Sequence, residues 1–471
     1  MLDNSLRIHT GKTQGGAVIK PLNNAYSPST VQQSITNIDG MNFADKPFVY
    51  FNFLKMKDPQ SKAMYKGLYD SLDQEGKYNL ETLLRTGRLL AKNSADGSST
   101  LQNLYKIVSE PRVSGLDNRE ILNETIKTLA NPFIITQKFG KIPDFMIASI
   151  LTDEKRNNLV NSVGLNNNLA PHFNQTKIAG PIAAVNPQDL NVETSGTCVA
   201  ASMEFNLADK KPAEFARYIA SLTSPDLSVK TKVNLSSIDP NPTNAINTLV
   251  NFGVEYRPID QNNVEVTLRP DRNAIIRARV QNTYRQLSSR SAIDALMQST
   301  VMQLGSANGY NSLTDIRAGD HVPDNKGLVE VEKNFAETII DSGEKKTSIT
   351  YQIVESDEAG NNYLKGYNND LQTTQKHLLD SLKSGSNVVV GITQIDQQNK
   401  IIGGHEITII GSKVDQNGEL HFIYNDTDDD KEEPIEISAK ELIPKVHHAG
   451  IPGKVLLKDP GNYNPLNMQQ M

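Results

Sequence analysis

The sequence has a single cysteine, Cys198, and no tryptophan among its 471 residues. One cysteine cannot form an intramolecular disulfide, and it cannot supply the thiolates of the common structural zinc sites. No run of apolar residues is long enough to cross a bilayer, so we expect no membrane span. The first residues lack the charged and apolar regions of a secretory signal, which predicts a cytoplasmic protein or one exported by another route.

The chain is moderately charged, with 22% charged residues and a formal net charge of -6, and 37% of its residues are hydrophobic. This composition permits a large hydrophobic core and gives no general attraction to nucleic acid or anionic membranes. Residues 269–290 carry six arginines against one acid, Asp271, and offer one aromatic residue for base stacking, Tyr284. We interpret the segment as a solvated helix surface and expect no nucleic-acid partner.

Local patterns divide the chain into three regions. Residues 1–50 are rich in Asn, Ser, Gly and Thr without sustained periodicity, which predicts a loosely ordered segment. Residues 51–165 carry apolar stripes at helical spacing, broken by Gly, Ser, Asp and Pro, and predict a helical domain. Residues 180–471 predict a domain of helices and strands, with a helical insertion at about 230–345 and a β-rich last third.

Cys198 follows a small, turn-prone tripeptide at 195–197 and precedes a run of good helix formers. This pattern places the sulfur at the start of a helix, where unpaired N–H groups and the helix dipole favour a thiolate. The thiolate is the form of cysteine that attacks an electrophile. On this segment alone, however, a small buried hydrophobic residue is the commoner role of a lone cysteine.

A thiol nucleophile needs a base, and His405 is the best candidate among the histidines. It follows two glycines at 403–404, which we expect to let another backbone approach, and it starts a predicted buried strand. A strong hairpin signal then joins this strand to one that ends at Asn425 and Asp426, roughly opposite His405. Either of these two side chains could orient the imidazole.

Three segments together resemble the papain-like cysteine peptidase superfamily, most of all its bacteriocin-processing and related bacterial branches. They are Gly-Thr-Cys at 196–198, Gly-Gly-His-Glu-Ile-Thr-Ile-Ile-Gly at 403–411 and Tyr-Asn-Asp at 424–426. The resemblance covers about 185–225 and 368–457. It implies an α+β fold in which a helix bearing the cysteine packs on an antiparallel sheet bearing the histidine, with the cleft between them.

Applied residue by residue, the resemblance implies that Cys198 is the nucleophile and His405 the general base. The bacterial branches use the Asp of an Asn-Asp pair to orient the histidine, which favours Asp426 for that role. Papain-type enzymes use an Asn instead, so Asn425 remains a second candidate.

The chain departs from the family at the oxyanion hole. The family places a Gln about six residues before the cysteine, and Val192 stands at that position here. The nearest amides that could donate are Gln188 and Asn191. Loss of one such donor typically lowers the rate about a hundred- to a thousand-fold, so the departure puts catalytic efficiency in question.

The predicted activity is that of a cysteine peptidase, which hydrolyses peptide or amide bonds of a peptide or protein substrate through a thioester and needs no cofactor. One alternative is a transglutaminase-like acyl transferase on the same residues. Another is a catalytically inactive papain-like binding protein, which Val192 favours. Whichever activity applies, we expect the helical region at 51–165 to be a partner-binding module or an inhibitory pro-region.

Two patterns that resemble metal sites are interpreted otherwise. Residues 426–430 carry acids at calcium-loop spacing, but Lys431 and Ile437 stand where glycine and glutamate are needed, so we predict a solvated acidic loop. His447 and His448 are adjacent, and adjacent residues on a strand point to opposite faces. We therefore expect two surface histidines and no metal site.

Overall fold

The computed structural model describes residues 53–54, 56–143, 145–150, 195–317, 327–341, 345–429 and 431–457. The predicted segment 1–50 lies wholly outside these ranges. Within them the chain is a mixture of helix and sheet, in agreement with the expected α+β class. Contacts group the described residues into two units: 53–132 with Leu207–Leu227, and the remainder.

The helices with both ends described are, in chain order, α1 Pro59–Ser71, α2 Gln74–Arg85, α3 Thr100–Ser109, α4 Asn118–Ala130, α5 Cys198–Lys210, α6 Pro212–Leu222, α7 Leu235–Ile238, α8 Pro242–Asn251, α9 Ala274–Thr283, α10 Ala292–Gly305, α11 Glu330–Ile340, α12 Leu371–Lys383, α13 Ala439–Leu442 and α14 Gly453–Leu456. Short 3₁₀ turns cover Arg88–Leu90, Pro132–Ile134 and Ile443–Lys445. No helix among the described residues is both long enough and apolar enough to cross a membrane.

The strands are β1 Val229–Asn234, β2 Glu255–Pro258, β3 Asn263–Leu268, β4 Tyr310–Asn311, β5 Ile316–Arg317, β6 Lys346–Thr350, β7 Gln352–Ser356, β8 Asn362–Tyr367, β9 Val388–Ile395, β10 Ile401–Val414, β11 Leu420–Asp426, β12 Ile435–Ser438 and β13 Val446–Pro452. They form a six-stranded antiparallel sheet of order β12-β11-β10-β9-β13-β6, a three-stranded sheet of order β1-β3-β2, and the pairs β4-β5 and β7-β8.

The first unit is helical because its segments combine N-caps with one buried apolar face. Asp58, Asp73 and Asp117 accept hydrogen bonds from the first backbone N–H groups of α1, α2 and α4. Ser99 and Gln102 form a reciprocal capping box at α3. The predicted apolar stripes lie on the inner faces of these helices, which bury Leu68, Leu80, Leu104 and Leu129 completely.

Helix α6 belongs to this helical unit, although its sequence lies beyond the predicted boundary at 165. Asn103 of α3 donates to the Ala213 carbonyl at 3.0 Å, and Arg112 donates to the Ala220 carbonyl at 2.5 Å. Nearly every residue of α6 is buried. The sequence pattern indicates this burial but not which helices provide it, so the predicted domain limits differ from those observed.

The six-stranded sheet of the second unit carries the hydrophobic core. In the register of β9 and β10, Ile407 lies opposite Val390. These residues join Ile409, Phe422 and Leu378 of α12 in one buried cluster. The β-branched run of β9 and the hairpin between β10 and β11 form as the sequence predicts.

The insertion at 230–345 is less helical than predicted, since β1 pairs with β3 from Val229↔Leu268 to Asn234↔Asn263. Residues along β1 alternate between buried and exposed, which is the strand period. This signal is present in the sequence and favours a strand over a helix.

The arginine-rich segment is not a solvated surface, because Arg277, Arg279 and Arg290 are almost fully buried. The Arg277 guanidinium carbon lies 3.9 Å from the ring centre of Phe139, and that of Arg290 lies 4.8 Å from it. Burial and the charge of Arg290 lower the pKa of Arg277 to about 9. The expectation of a solvated surface was wrong. These arginines are buried against Phe139, which comes from a distant segment that the local sequence does not indicate.

Candidate active site

Cys198 is the first residue of α5 and is partly exposed. The Thr197 carbonyl accepts the first helical hydrogen bond from Ala201 N at 2.8 Å. The sulfur therefore stands at the N-terminal end of a 13-residue helix, as the sequence predicts. Its partial exposure argues against the alternative of a small buried hydrophobic residue.

The turn before Cys198 is held by a buried carboxylate. Gly196 N donates to Asp315 Oδ2, and the Tyr310 hydroxyl donates to Asp315 Oδ1 at 2.8 Å. Asp315 is fully buried and adopts a left-handed backbone with φ of 55°. A non-glycine residue is strained in this conformation, and the two hydrogen bonds hold Asp315 in it.

Gln137 also contacts this turn and was missed in the sequence. Its carbonyl accepts from Ser195 Oγ at 2.8 Å, and its backbone N–H donates to the Thr427 carbonyl at 3.0 Å. Its side-chain Oε1 accepts from Thr427 Oγ1 at 3.3 Å. Gln137 thus links the turn before Cys198 to the residue after Asp426, and no local pattern in the sequence signals this position.

His405 lies on β10, and its Nε2 donates to Asp426 Oδ1 at 2.6 Å. Asp426 is the last residue of β11 and pairs with Ile407, two positions after His405. Asn425 pairs with Thr408, and its side-chain nitrogen is buried with no hydrogen-bond partner among the described residues. Of the two predicted orienting residues, the structure brings Asp426 and not Asn425 to the imidazole.

The electrostatics of His405 connect it to both Asp426 and Cys198. Burial by itself lowers the pKa of His405, but hydrogen bonds to Asp426 and Cys198, together with their charges, raise that pKa to about 10. Burial raises the pKa of Asp426, whereas the hydrogen bond and charge of His405 lower it below its ordinary value. Both directions describe an imidazolium beside a carboxylate. Because Nε2 faces Asp426, Nδ1 is the nitrogen left for Cys198.

Helix α5 contacts the strand that bears His405. Ser202, one turn after Cys198, donates to the Glu406 carbonyl, and Thr408 Oγ1 donates to the Ser202 carbonyl, both over a long 3.5 Å. All of these residues belong to the same unit. The cysteine and the histidine are therefore positioned by packing of one helix on one strand.

The glycines before His405 do not serve the purpose expected of them. A Cβ at Gly404 would meet the Ile392 carbonyl at 3.9 Å, which is ordinary van der Waals contact. A Cβ at Gly403 would meet the side chain of Gln394 at 3.2 Å. No backbone therefore approaches closely at these two positions, and the expectation of such an approach was wrong.

The predicted oxyanion-hole candidates, Gln188 and Asn191, lie outside the described residues, as does Val192. Two amide-bearing residues contact the turn of Cys198: Gln137 through its backbone carbonyl, and Gln298, whose Oε1 accepts from Thr197 Oγ1 at 2.9 Å. The backbone N–H of Cys198, at the helix N-terminus, is a second donor by position.

His447 and His448 do not point apart, as we expected from their adjacency. Their Nδ1 atoms lie 2.9 Å apart. The register of β13 on β9 shifts between Val446, opposite Ile392, and His448, opposite Gly391. This bulge breaks the strict alternation of side chains, so both rings meet on one side.

Two groups of described residues have side-chain atoms close enough to share a metal ion: Glu330 with His447 and His448, and Asp415 with Glu419 and His421.

Comparison of the chain with protein-family models, curated proteins and solved structures finds no match. The geometry of the described residues is therefore the basis for assigning a function.

Proposed function

We propose that this protein is a papain-like cysteine peptidase that hydrolyses peptide or amide bonds with Cys198, His405 and Asp426. The main support is the position of His405: its imidazole binds Asp426 at 2.6 Å, its strand packs on the helix that begins at Cys198, and both Asp426 and Cys198 raise its pKa. A nucleophile, a base and a group that orients the base are the three parts that such chemistry requires.

In the first half of the reaction, the Cys198 thiolate adds to the substrate carbonyl carbon. The tetrahedral intermediate collapses as the C–N bond breaks, and His405 gives its Nδ1 proton to the leaving amine. The first product departs, and the acyl group remains on Cys198 as a thioester. His405 is then neutral, and Asp426 keeps its ring in place.

In the second half, neutral His405 takes a proton from water at Nδ1 while the water oxygen adds to the thioester carbon. The C–S bond breaks, the acid product leaves, and the thiolate and imidazolium are restored. The Cys198 N–H would donate to the oxyanion in both halves. Gln137 is our candidate for the second donor, in place of the family glutamine that Val192 replaces.

Alkylation of the single thiol tests whether Cys198 is activated by His405. We expect iodoacetamide to modify the folded protein at slightly acid pH, as seen by intact mass. The rate should fall at least about tenfold in His405→Ala, because the imidazolium that favours the thiolate is lost. His421→Ala, on the neighbouring strand, is the matched control and should react as the wild type does. Labelling only after unfolding would refute the proposal.

Product analysis separates the proposed hydrolase from its alternatives. The full chain and Cys198→Ala would be incubated with a mixture of peptides, with and without an added primary amine. Cleaved products that gain water and that are absent with Cys198→Ala support a peptidase. Amine adducts would identify an acyl transferase, and a reactive thiol that yields neither product would identify a binding protein.

A further inference from the structure

A triangle of three ligand-type atoms lies at the first turn of α11 and on β13. Glu330 Oε1 is 3.0 Å from His447 Nδ1 and 3.3 Å from His448 Nδ1, and the two Nδ1 atoms are 2.9 Å apart. The side chains of Glu330, His447 and His448 are 26%, 27% and 12% exposed, respectively. They are therefore accessible to an ion from solvent.

The dimensions of this triangle fit one face of a zinc tetrahedron. Zinc binds imidazole nitrogen and carboxylate oxygen at about 2.0–2.1 Å, so neighbouring ligands in a tetrahedron lie about 3.3 Å apart. The three observed edges of 2.9, 3.0 and 3.3 Å are close to this value. An ion above the plane of the triangle would reach all three atoms and keep a fourth position open.

The surroundings of His448 favour ligation by its Nδ1. Its Nε2 donates to Glu406 Oε1 at 2.6 Å, and Glu406 is buried. In the neutral ring this hydrogen bond fixes the tautomer that has its lone pair on Nδ1, directed at His447 and Glu330. A carboxylate that orients a ligating histidine in this way is a regular feature of protein metal sites.

The carboxylate ligand is oriented as well. Thr350 Oγ1 donates to Glu330 Oε2 at 2.7 Å, which leaves Oε1 for the histidines. Lys333 binds Glu406 Oε2 at 2.8 Å and balances the charge of that residue. Glu330 is therefore the negative charge that would face the ion.

We propose that Glu330, His447 and His448 form a zinc-binding site, which would join the first turn of α11 to β13. The inference uses none of the residues proposed for catalysis. It differs from our expectation of no metal site, which assumed a regular strand at His447.

Zinc titration of the full chain carrying Cys198→Ala tests the site without competition from the thiol. After removal of metal with a chelator, we expect calorimetry to give one zinc ion per chain. His447→Ala and His448→Ala should abolish binding at the same concentrations. His421→Ala, which removes a member of the other His-containing cluster, should leave it unchanged. Absence of binding, or loss of binding in His421→Ala alone, would overturn the proposal.

Two variants that keep all three ligands cover the case in which the histidine variants do not fold. Thr350→Val should weaken zinc binding about 10–100-fold, because it removes only the orienting hydrogen bond. Gly391→Ala should weaken it too, since a Cβ there would lie 2.2 Å from the ring of His448. Gly404→Ala is its sterically permitted control. Cobalt in place of zinc should give a tetrahedral visible spectrum, and an octahedral spectrum, or unchanged affinity in Thr350→Val, would contradict the assigned site.

Discussion

His405 interacts with a carboxylate and with a thiol, and these interactions account for the direction of its pKa shift. Burial alone would favour the neutral ring, yet the hydrogen bonds and charges of Asp426 and Cys198 raise the pKa to about 10. A histidine that is protonated at neutral pH can stabilise a thiolate and can later protonate a leaving amine. The same residue therefore links the stability of the fold to the proposed chemistry.

Removal of the Asp426 charge should lower stability in a pH-dependent way. The raised pKa of His405 gives stability that is complete below pH 6.5 and is lost as the pH rises through about 10. The lowered pKa of Asp426 gives stability that is complete above pH 3.8 and is lost as the pH falls through its folded value. In urea denaturation, Asp426→Asn should therefore lower the free energy of unfolding by about 1.5–3 kcal/mol between pH 3.8 and 6.5, and by much less near pH 10.

Asp380→Asn on α12 serves as the control, because the ion pairs of Asp380 are exposed. Its cost should be small across the same range. If the cost of Asp426→Asn instead grew toward alkaline pH, His405 would be neutral in the folded protein. The imidazolium assigned to the site would then be wrong.

Among the secondary-structure elements, the turn that leads into α5 depends on a residue far along the chain. Asp315 lies between β4 and β5, and it accepts hydrogen bonds from Gly196 and Tyr310 while its own backbone is left-handed. Asn and Asp tolerate this conformation better than Ala does. The position of Cys198 is thus secured by side-chain chemistry at Asp315 as well as by helix propensity.

Asp315→Ala should destabilise the protein by about 2–4 kcal/mol, through backbone strain and loss of the acceptor for the partly buried Gly196 N–H and the buried Tyr310 hydroxyl. Asp315→Asn keeps an acceptor oxygen and tolerates the backbone, so it should cost clearly less. Denaturant unfolding measures both costs, and alkylation of Cys198 reports whether the turn has moved. Equal costs for the two variants would show that the hydrogen bond does not hold the turn.

β13 shows how one inserted residue changes the chemistry of an element. A regular strand would separate His447 and His448, whereas the bulge brings their Nδ1 atoms to 2.9 Å. The bulge depends on pairing with β9, where Gly391 leaves room for the ring of His448. Neither condition can be read from the local sequence of β13.

At the scale of the whole molecule, the helical unit is built from two separated parts of the chain. Helix α6 packs on α3, with Phe215, Tyr218 and Leu222 fully buried. An inhibitory pro-region that ended at 165 and was removed would uncover this helix. We therefore expect residues 53–132 to remain with the rest of the chain after any cleavage.

A chain that begins at residue 133 should be unstable for the same reason. We expect it to bind a hydrophobic dye and to aggregate or unfold at lower temperature than the chain that begins at residue 53, which is the control. Burial of each large apolar side chain is worth about 1.5–3 kcal/mol, so exposure of several on α6 is costly. A soluble monomer with an unchanged melting temperature would contradict this view of the unit.

The sequence by itself determined the features that depend on neighbouring residues. The caps and apolar stripes of the first helices, the helix start at Cys198, the buried strand β9 and the hairpin to Asp426 are all encoded by local periodicity and turn chemistry. These signals act over a few residues, so they specify what an element is and which side is buried. They do not specify what it packs against.

Tertiary structure decided the choices that require distant partners. Strand register brought Asp426 and not Asn425 to His405, and a bulge turned His447 and His448 together. Phe139 gave buried arginines a stacking partner, and Gln137 and Asp315 came to the cysteine turn from opposite directions along the chain. Such contacts form only when the whole core packs, because register and bulges are set by pairing between strands rather than by any one strand.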